Sequence, residues 1–294
     1  MNNQKHTENY FFSEDSRLKD YPTRVDLGLD NKGLKKELNR LREELAAFQD
    51  KLYAHGKYGV LVCLQGMDTA GKDSLIREVF KEFNVRGVVV HSFKVPTSKE
   101  LKHDYLWRHY VALPERGKFS VFNRTHYENV LVTRVHPEYL LYENLPHLTR
   151  VEQADEKFWA DRFRQIRDFE RHISENGVKI LKFYLHLSKD EQRNRLLRRL
   201  EKEEKNWKFS PGDLNERKLW EQYENCYQEA LSETSTEQAP WYCIPADDKR
   251  TARVLVASIL QETLTVLDDV QYPQLEEKVA RNIENFKEVL NNEE

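Results

Sequence analysis

Cysteine is scarce: Cys63, Cys226 and Cys243 are the only three among 294 residues. They are odd in number, widely spaced and form no CxxC pair, so nothing suggests a disulfide framework or a thiolate zinc site, and they read as reduced thiols. Long apolar runs are also missing. No segment approaches the ~20 apolar residues that span a bilayer. The opening "MNNQKHTENYFFSEDSRLKDYPTRVD" has no apolar stretch of signal-peptide length. A cytoplasmic protein without membrane contact is expected. An excess of charge of one sign is lacking as well, since 33% of residues are charged while the net charge is only -3. Bulk attraction therefore cannot recruit a polyanion, and any such binding must come from local basic clusters. Internal repeats and low-complexity tracts are absent. What remains, 39% hydrophobic and 11% aromatic residues, suffices for one large core, or a core with a mobile appendage.

Residues 1–55 read as a polar, extended arm, broken by Pro22, followed by an amphipathic helix. In that helix Leu38, Leu41, Leu45, Phe48 and Leu52 recur at steps of three and four, and Gly56 closes it. Residues 56–270 change character. "YGVLVCL", "GVVVHSF", "FSVF", "VKILKFYLHL" and "WYCIP" are nearly continuous apolar runs, as expected of strands covered on both faces. Helical stretches lie between them: "SLIREVFKEF", "SKELKHDYLWRHYVAL", the segment from Asp155 to Asn176, and two more between Ser188 and Ser232. The alternation implies an α/β fold with a parallel five-stranded sheet and helices on both faces, binding ligands at the carboxyl ends of the strands. Residues 271–294 hold one more amphipathic helix, with Leu275, Val279, Ile283, Phe286 and Leu290 on one face, which reads as packing or oligomer contact.

The stretch "GMDTAGKD" follows the first of these strands and opens a helix. It matches the phosphate-binding loop GxxxxGK[ST] at Gly66, Gly71 and Lys72, but Asp73 stands where a Ser or Thr usually helps hold Mg²⁺. Backbone N–H groups from Gly66 through Thr69, Ala70 and Gly71, with the helix N-terminus, make the anion site, and Lys72 adds a positive charge. Two carboxylates there, Asp68 and Asp73, would be repelled by phosphate unless a cation intervenes. Helix capping is the bland alternative for Asp73. A second residue is also missing. The strand Phe119 to Phe122 runs into Asn123-Arg124 where P-loop enzymes usually carry a metal-holding Asp. Metal ligation therefore moves to Asp68 and Asp73, with Glu128 nearby, and Arg124 is left to reach a transferring phosphoryl group.

The segments "GMDTAGKD", "SFKVPTSKELKHDYLWRHYVALPERGKFSVFNRTHYENVLVTRVH", "NWKFSPGDLNERKLWEQY" and "APWYCIPADDKRTARV" together resemble the polyphosphate kinase 2 family over roughly Leu52 to Leu267, and are most similar to its class III members. The resemblance implies a thymidylate-kinase-like, three-layer P-loop kinase fold with a helical lid at about 189–212. It also implies Mg²⁺-dependent transfer of a terminal phosphoryl group from inorganic polyphosphate to AMP or ADP, with Mn²⁺ as an alternative ion and guanine nucleotides as further acceptors, by a homo-oligomer. By the same resemblance Asp68 and Arg124 lie between donor and acceptor, Lys72 on the phosphates, and Glu128 where a monophosphate is accepted. Asn123 and Asn129 stand where some relatives carry Asp.

In the basic segment "KDEQRNRLLRRLEKEEKNWKF", Leu196, Leu197 and Leu200 are expected to form a buried stripe, while Arg195, Arg199 and Lys202 share a solvent face. Arg193, Arg198, Lys205 and Lys208 are the candidate polyphosphate contacts, since lid cations close over phosphates. Lys94, Arg108, Asn123, Glu128 and Arg134 are candidates for the nucleotide, whereas Phe93 and Trp107 read as core. Two further readings remain: an ATP-dependent nucleoside monophosphate kinase of the thymidylate kinase type, and a non-enzymatic nucleotide switch or scaffold. Nucleic-acid binding lacks the interleaved aromatics and net positive charge it needs.

Overall fold

The computed structural model describes residues 6–293. Six strands form one sheet in the order β1-β6-β5-β2-β4-β3: β1 Phe11–Phe12, β2 Gly59–Gln65, β3 Val88–Ser92, β4 Phe119–Asn123, β5 Val178–His186 and β6 Trp241–Pro245. The last five are mutually parallel, as the apolar runs implied. The arm adds the sixth, a two-residue strand antiparallel to β6, so the sheet is mixed rather than purely parallel. The strands β2, β4 and β6 carry apolar side chains to both faces. The strand β3 departs from that pattern, because it lies at the sheet edge with Val89 and Val90 exposed.

Helices cover both faces. On one, the helix Lys249–Leu264 lies against the helices Asn31–His55 and Lys72–Val79, and their leucines and valines share a cluster with β2 and β5. On the other, the helices Glu128–Val135, Glu156–Glu175 and Trp220–Thr234 pack together over Tyr127, Tyr184 and Trp241. The helix Asn31–His55 starts at Asp30, whose side chain accepts from the Gly33 N–H, and stops at Gly56, in the left-handed region with φ 66°.

Three segments differ from expectation. "SKELKHDYLWRHYVAL" holds only a short 3-10 turn, Glu100–Lys102, and the four-residue helix Trp107–Tyr110. The region 188–234 contains four helices rather than two: Lys189–Glu201, Glu203–Asn206, Pro211–Lys218 and Trp220–Thr234. The C-terminal helix divides at Asn282 into Glu277–Arg281 and Ile283–Asn291, and neither buries a residue on the core. No described helix is long and apolar enough to cross a membrane.

Candidate active site

The register Leu64↔Asn123 between β2 and β4 brings their carboxyl ends side by side. The loop after β2 therefore starts next to Arg124, whose N–H donates to the Leu64 carbonyl at 3.3 Å. Both loop glycines are demanded by backbone geometry. At Gly66 (φ 149°) a Cβ would lie 2.9 Å from the Leu185 carbonyl oxygen, and Gly71 (φ 108°) precedes the helix in the left-handed region. Thr69 takes a positive φ of 67° between them. Lys72 is buried, and its Nζ donates to the Gly66 carbonyl at 2.6 Å. Burial, with Arg124 beside it, lowers the ammonium to about 8, against the pull of Asp68, Glu128 and Asp73.

Arg124 also has a positive φ, 61°, a costly conformation for a side chain of its size. Its surroundings hold it there. Nη2 donates to Asp68 Oδ1 at 2.9 Å and Nη1 to Glu128 Oε2 at 3.2 Å. Glu128 and Asp68 raise the guanidinium above its ordinary value despite burial. Gln65 Nε2 fixes the other Glu128 oxygen at 3.0 Å. Asp73 does not cap its helix. Its Oδ1 accepts from Asn123 Nδ2 at 2.7 Å, so the loop acid and the strand-end amide are direct partners.

Between these groups and the helices after β5 lies a cavity of about 610 Å³. Nine cations line it (Lys72, Lys94, Arg124, Arg195, Arg198, Arg199, Lys205, Lys208 and Lys249) against two carboxylates, Asp68 and Asp73. Arg198, Lys205 and Lys208 stand where the lid was expected to supply cations. Arg193 is not on the wall and faces Asp190 at 3.7 Å. Of the nucleotide candidates, Lys94 and Asn123 line the cavity, and Glu128 touches it through Arg124. Arg108 lies behind, donating to the Lys94 carbonyl at 2.8 Å with its guanidinium over Phe93. Arg134 is off the wall, paired with Glu229 and stacked over Trp159.

The helix Lys189–Glu201 corrects the helical-wheel reading. Arg195 is buried, not solvent-facing: its guanidinium donates to the carbonyls of Thr69 (3.0 Å), Ala70 (2.9 Å), Ala246 (2.6 Å) and Asp247 (3.0 Å). One side chain thus ties the phosphate loop to the segment after β6. Leu197 and Leu200 are exposed, and only Leu196 of the expected stripe is buried. Lys249 was missed altogether. Its Cε lies 3.6 Å from where a Gly71 Cβ would be, and burial, with Arg195 and Arg253 near, lowers it to about 8. Its one signal in sequence is position, just past the carboxyl end of β6.

A family model described as polyphosphate kinase 2 matches residues 28–274. The chain belongs to the polyphosphate kinase 2 family. It is 48% identical over 255 residues to an ADP-polyphosphate phosphotransferase of Rhodopseudomonas palustris, covering 86% of this chain and 87% of that one. It is 50% identical over 239 residues to an AMP/ADP-polyphosphate phosphotransferase of Meiothermus ruber, covering 81% and 82%. The crystal structure of polyphosphate kinase 2 from Arthrobacter aurescens superposes with a TM-score of 0.87 at 34% identity over 97% of both chains. The P-loop kinase architecture is accordingly that of the polyphosphate kinase 2 family. In this member Asn129 is buried and donates to the His126 carbonyl at 3.0 Å, away from the cavity wall. Beneath the Arg124 turn lies a buried polar network. Glu170 accepts from His126 Nε2 (3.1 Å), Tyr127 Oη (2.8 Å) and Lys182 Nζ (2.7 Å). It anchors the residues between Arg124 and Glu128 from below.

Proposed function

We propose that the protein is a polyphosphate-dependent nucleotide kinase that moves the terminal phosphoryl group of inorganic polyphosphate onto ADP or AMP. The observation that carries this is the cavity wall: with Arg195 spent on main-chain carbonyls, the eight other cations against two carboxylates still exceed what the phosphates of one nucleotide need, and they suit a longer chain of phosphates. The names of the two relatives above, an ADP-polyphosphate and an AMP/ADP-polyphosphate phosphotransferase, support the same donor and acceptors.

In this reading the terminal phosphoryl group sits at the loop amides between Lys72 and Arg124. An acceptor phosphate oxygen, already ionised at neutral pH, attacks in line, so no general base is required. Lys72 leaves the Gly66 carbonyl for the phosphate, whose charge restores the ammonium's ordinary affinity for its proton. Arg124, held between Asp68 and Glu128, faces both reactants and stabilises charge spreading over the transferred group. Arg198, Lys205 and Lys208 take the donor chain, and Lys94 with Asn123 takes the acceptor.

Asp68 and Asp73 fit a divalent ion of the Mg²⁺ type. Each uses Oδ1 within the protein and has Oδ2 to offer. No group of three or more acids, His or Cys that could hold a metal alone occurs among the described residues. One or two carboxylates plus substrate phosphates is the donor set Mg²⁺ accepts, and such an ion neutralises phosphate charge. We further propose a cytoplasmic homo-oligomer, in keeping with three buried free cysteines and with the apolar β3 edge at Val89 and Val90.

The test is product analysis of the purified protein with ADP and polyphosphate, and separately with AMP and ATP. ATP formed from ADP only when polyphosphate is supplied supports the reading. Phosphoryl transfer from ATP to AMP with none from polyphosphate replaces it with an ordinary monophosphate kinase.

A further inference from the structure

A second cavity, about 970 Å³, opens beside the first two turns of the helix Lys249–Leu264. Its walls come from that helix, from Asn31–His55 and from Lys72–Val79, and the catalytic cavity includes none of its residues. Arg42, Arg250 and Arg253 line it, with Lys35 and Lys81. Its acids are partly occupied: Glu78 pairs with Arg42 at 2.8 Å, and Glu82 lies 4.0 Å from Lys81. Glu43 is the remaining carboxylate.

Arg253 is the unusual member. It makes no hydrogen bond or ion pair among the described residues, and its Nε is shut off from solvent without a partner. A guanidinium carries five donors, and leaving a buried one unmatched is costly. Burial and the neighbouring Arg77, Arg42 and Arg250 push its proton affinity down, with Glu78 alone opposing them. Such a gathering of like charges is relieved by an anion.

The two cavities are joined by sequence. Lys249 lines the catalytic one, resting against Gly71 of the phosphate loop. Arg253 is four residues further along the same helix, hence on the same side one turn away, about 5–6 Å between Cβ atoms. The loop, Lys249 and Arg253 therefore form a row of positive charge leading out of the active site.

We propose that the second cavity is a distal subsite for the polyphosphate donor, reached over Lys249 and held by Arg253 with Lys35 and Arg250. It rests on polyphosphate being the donor. Only chains long enough to pass Lys249 reach it, so it makes affinity depend on chain length. The transfer chemistry at Lys72 and Arg124 is unaffected.

The experiment measures KM and kcat for ATP formation from ADP over linear polyphosphates from three to about a hundred phosphates, for wild type, Arg253→Gln, Arg253→Lys and Lys35→Gln. On long chains Arg253→Gln raises KM about three- to tenfold with kcat unchanged. It lowers the salt slope of log KM by about 0.7, the loss of one phosphate contact. On the shortest active chain it matches wild type, and Arg253→Lys, which keeps the charge, stays close to wild type throughout. Wild-type KM values for Arg253→Gln at every length overturn the proposal. So does an equal rise on the shortest and longest chains, which is what a pocket for a lone phosphate or an acidic partner, or a disturbed active site, gives. Wild-type enzyme inert toward chains of every length removes the donor itself, and the subsite with it.

Discussion

Arg195→Met separates a structural clamp from a substrate contact. Methionine keeps the alkyl stem and removes the guanidinium, which serves four main-chain carbonyls from two segments and Glu191 Oε1 at 2.8 Å. Removing one member of a buried charged network typically costs about 3–5 kcal/mol. At about 2–3 °C per kcal/mol for a domain of this size, the melting temperature drops roughly 6–15 °C. The released carbonyls belong to Thr69 and Ala70, so the loop shifts, and misplacement of about 1 Å lowers kcat on the order of 100-fold. Calorimetry and steady-state ATP formation measure the two effects on the same preparations. An unchanged melting temperature with a raised KM for polyphosphate refutes the clamp and makes Arg195 the solvent-facing lid cation that its helical position suggests.

Lys72→Met and Arg124→Ala should each lower kcat by several orders of magnitude while far-UV circular dichroism stays that of wild type; retained turnover in either removes that residue from the mechanism. Lys72 and Lys249 titrate near pH 8 in the free enzyme. Both are charged below that pH, so kcat/KM for polyphosphate should hold below pH 8 and fall above it, about tenfold per unit for each group that must be charged. The limb should persist at reduced steepness in Lys249→Met; a limb near pH 10, as for ordinary lysines, counts against the burial of both. Lys182→Met leaves Glu170 as an unpaired buried charge and should cost about 3–5 kcal/mol in urea denaturation, with Lys182→Met/Glu170→Gln recovering part of it. Additive losses in that double variant deny the coupling.

The five parallel strands were legible because runs such as "VLVCL" must be covered on both faces, and the phosphate loop because its glycines and lysine stand between a strand and a helix. The strand β1 was not legible: two phenylalanines amid polar residues carry no periodicity, and only β6 makes them a strand. Arg195 was misassigned for a related reason. Charge at helical spacing signals a solvated face, whereas the carbonyls that take this guanidinium come from segments about 50 and 125 residues away in sequence. Asp73 was ambiguous until Asn123 appeared opposite it, since first-turn aspartates cap helices often enough to hide a partner at a strand end.

The pairing of Phe11–Phe12 with Tyr242 and Trp241 has a consequence beyond the arm itself. Without it, the backbone of β6 would be an open template at the sheet margin, available to a strand of any other molecule. The arm is anchored further by Glu262, which accepts the His6 and Thr7 N–H groups at 3.1 and 2.9 Å, and by the fully buried Phe12 ring. Residues 6–12 thus act as a selvedge that keeps this margin of the sheet from fraying into its neighbours. Trimming them should show itself first as self-association at high concentration, while the phosphate loop still turns over substrate.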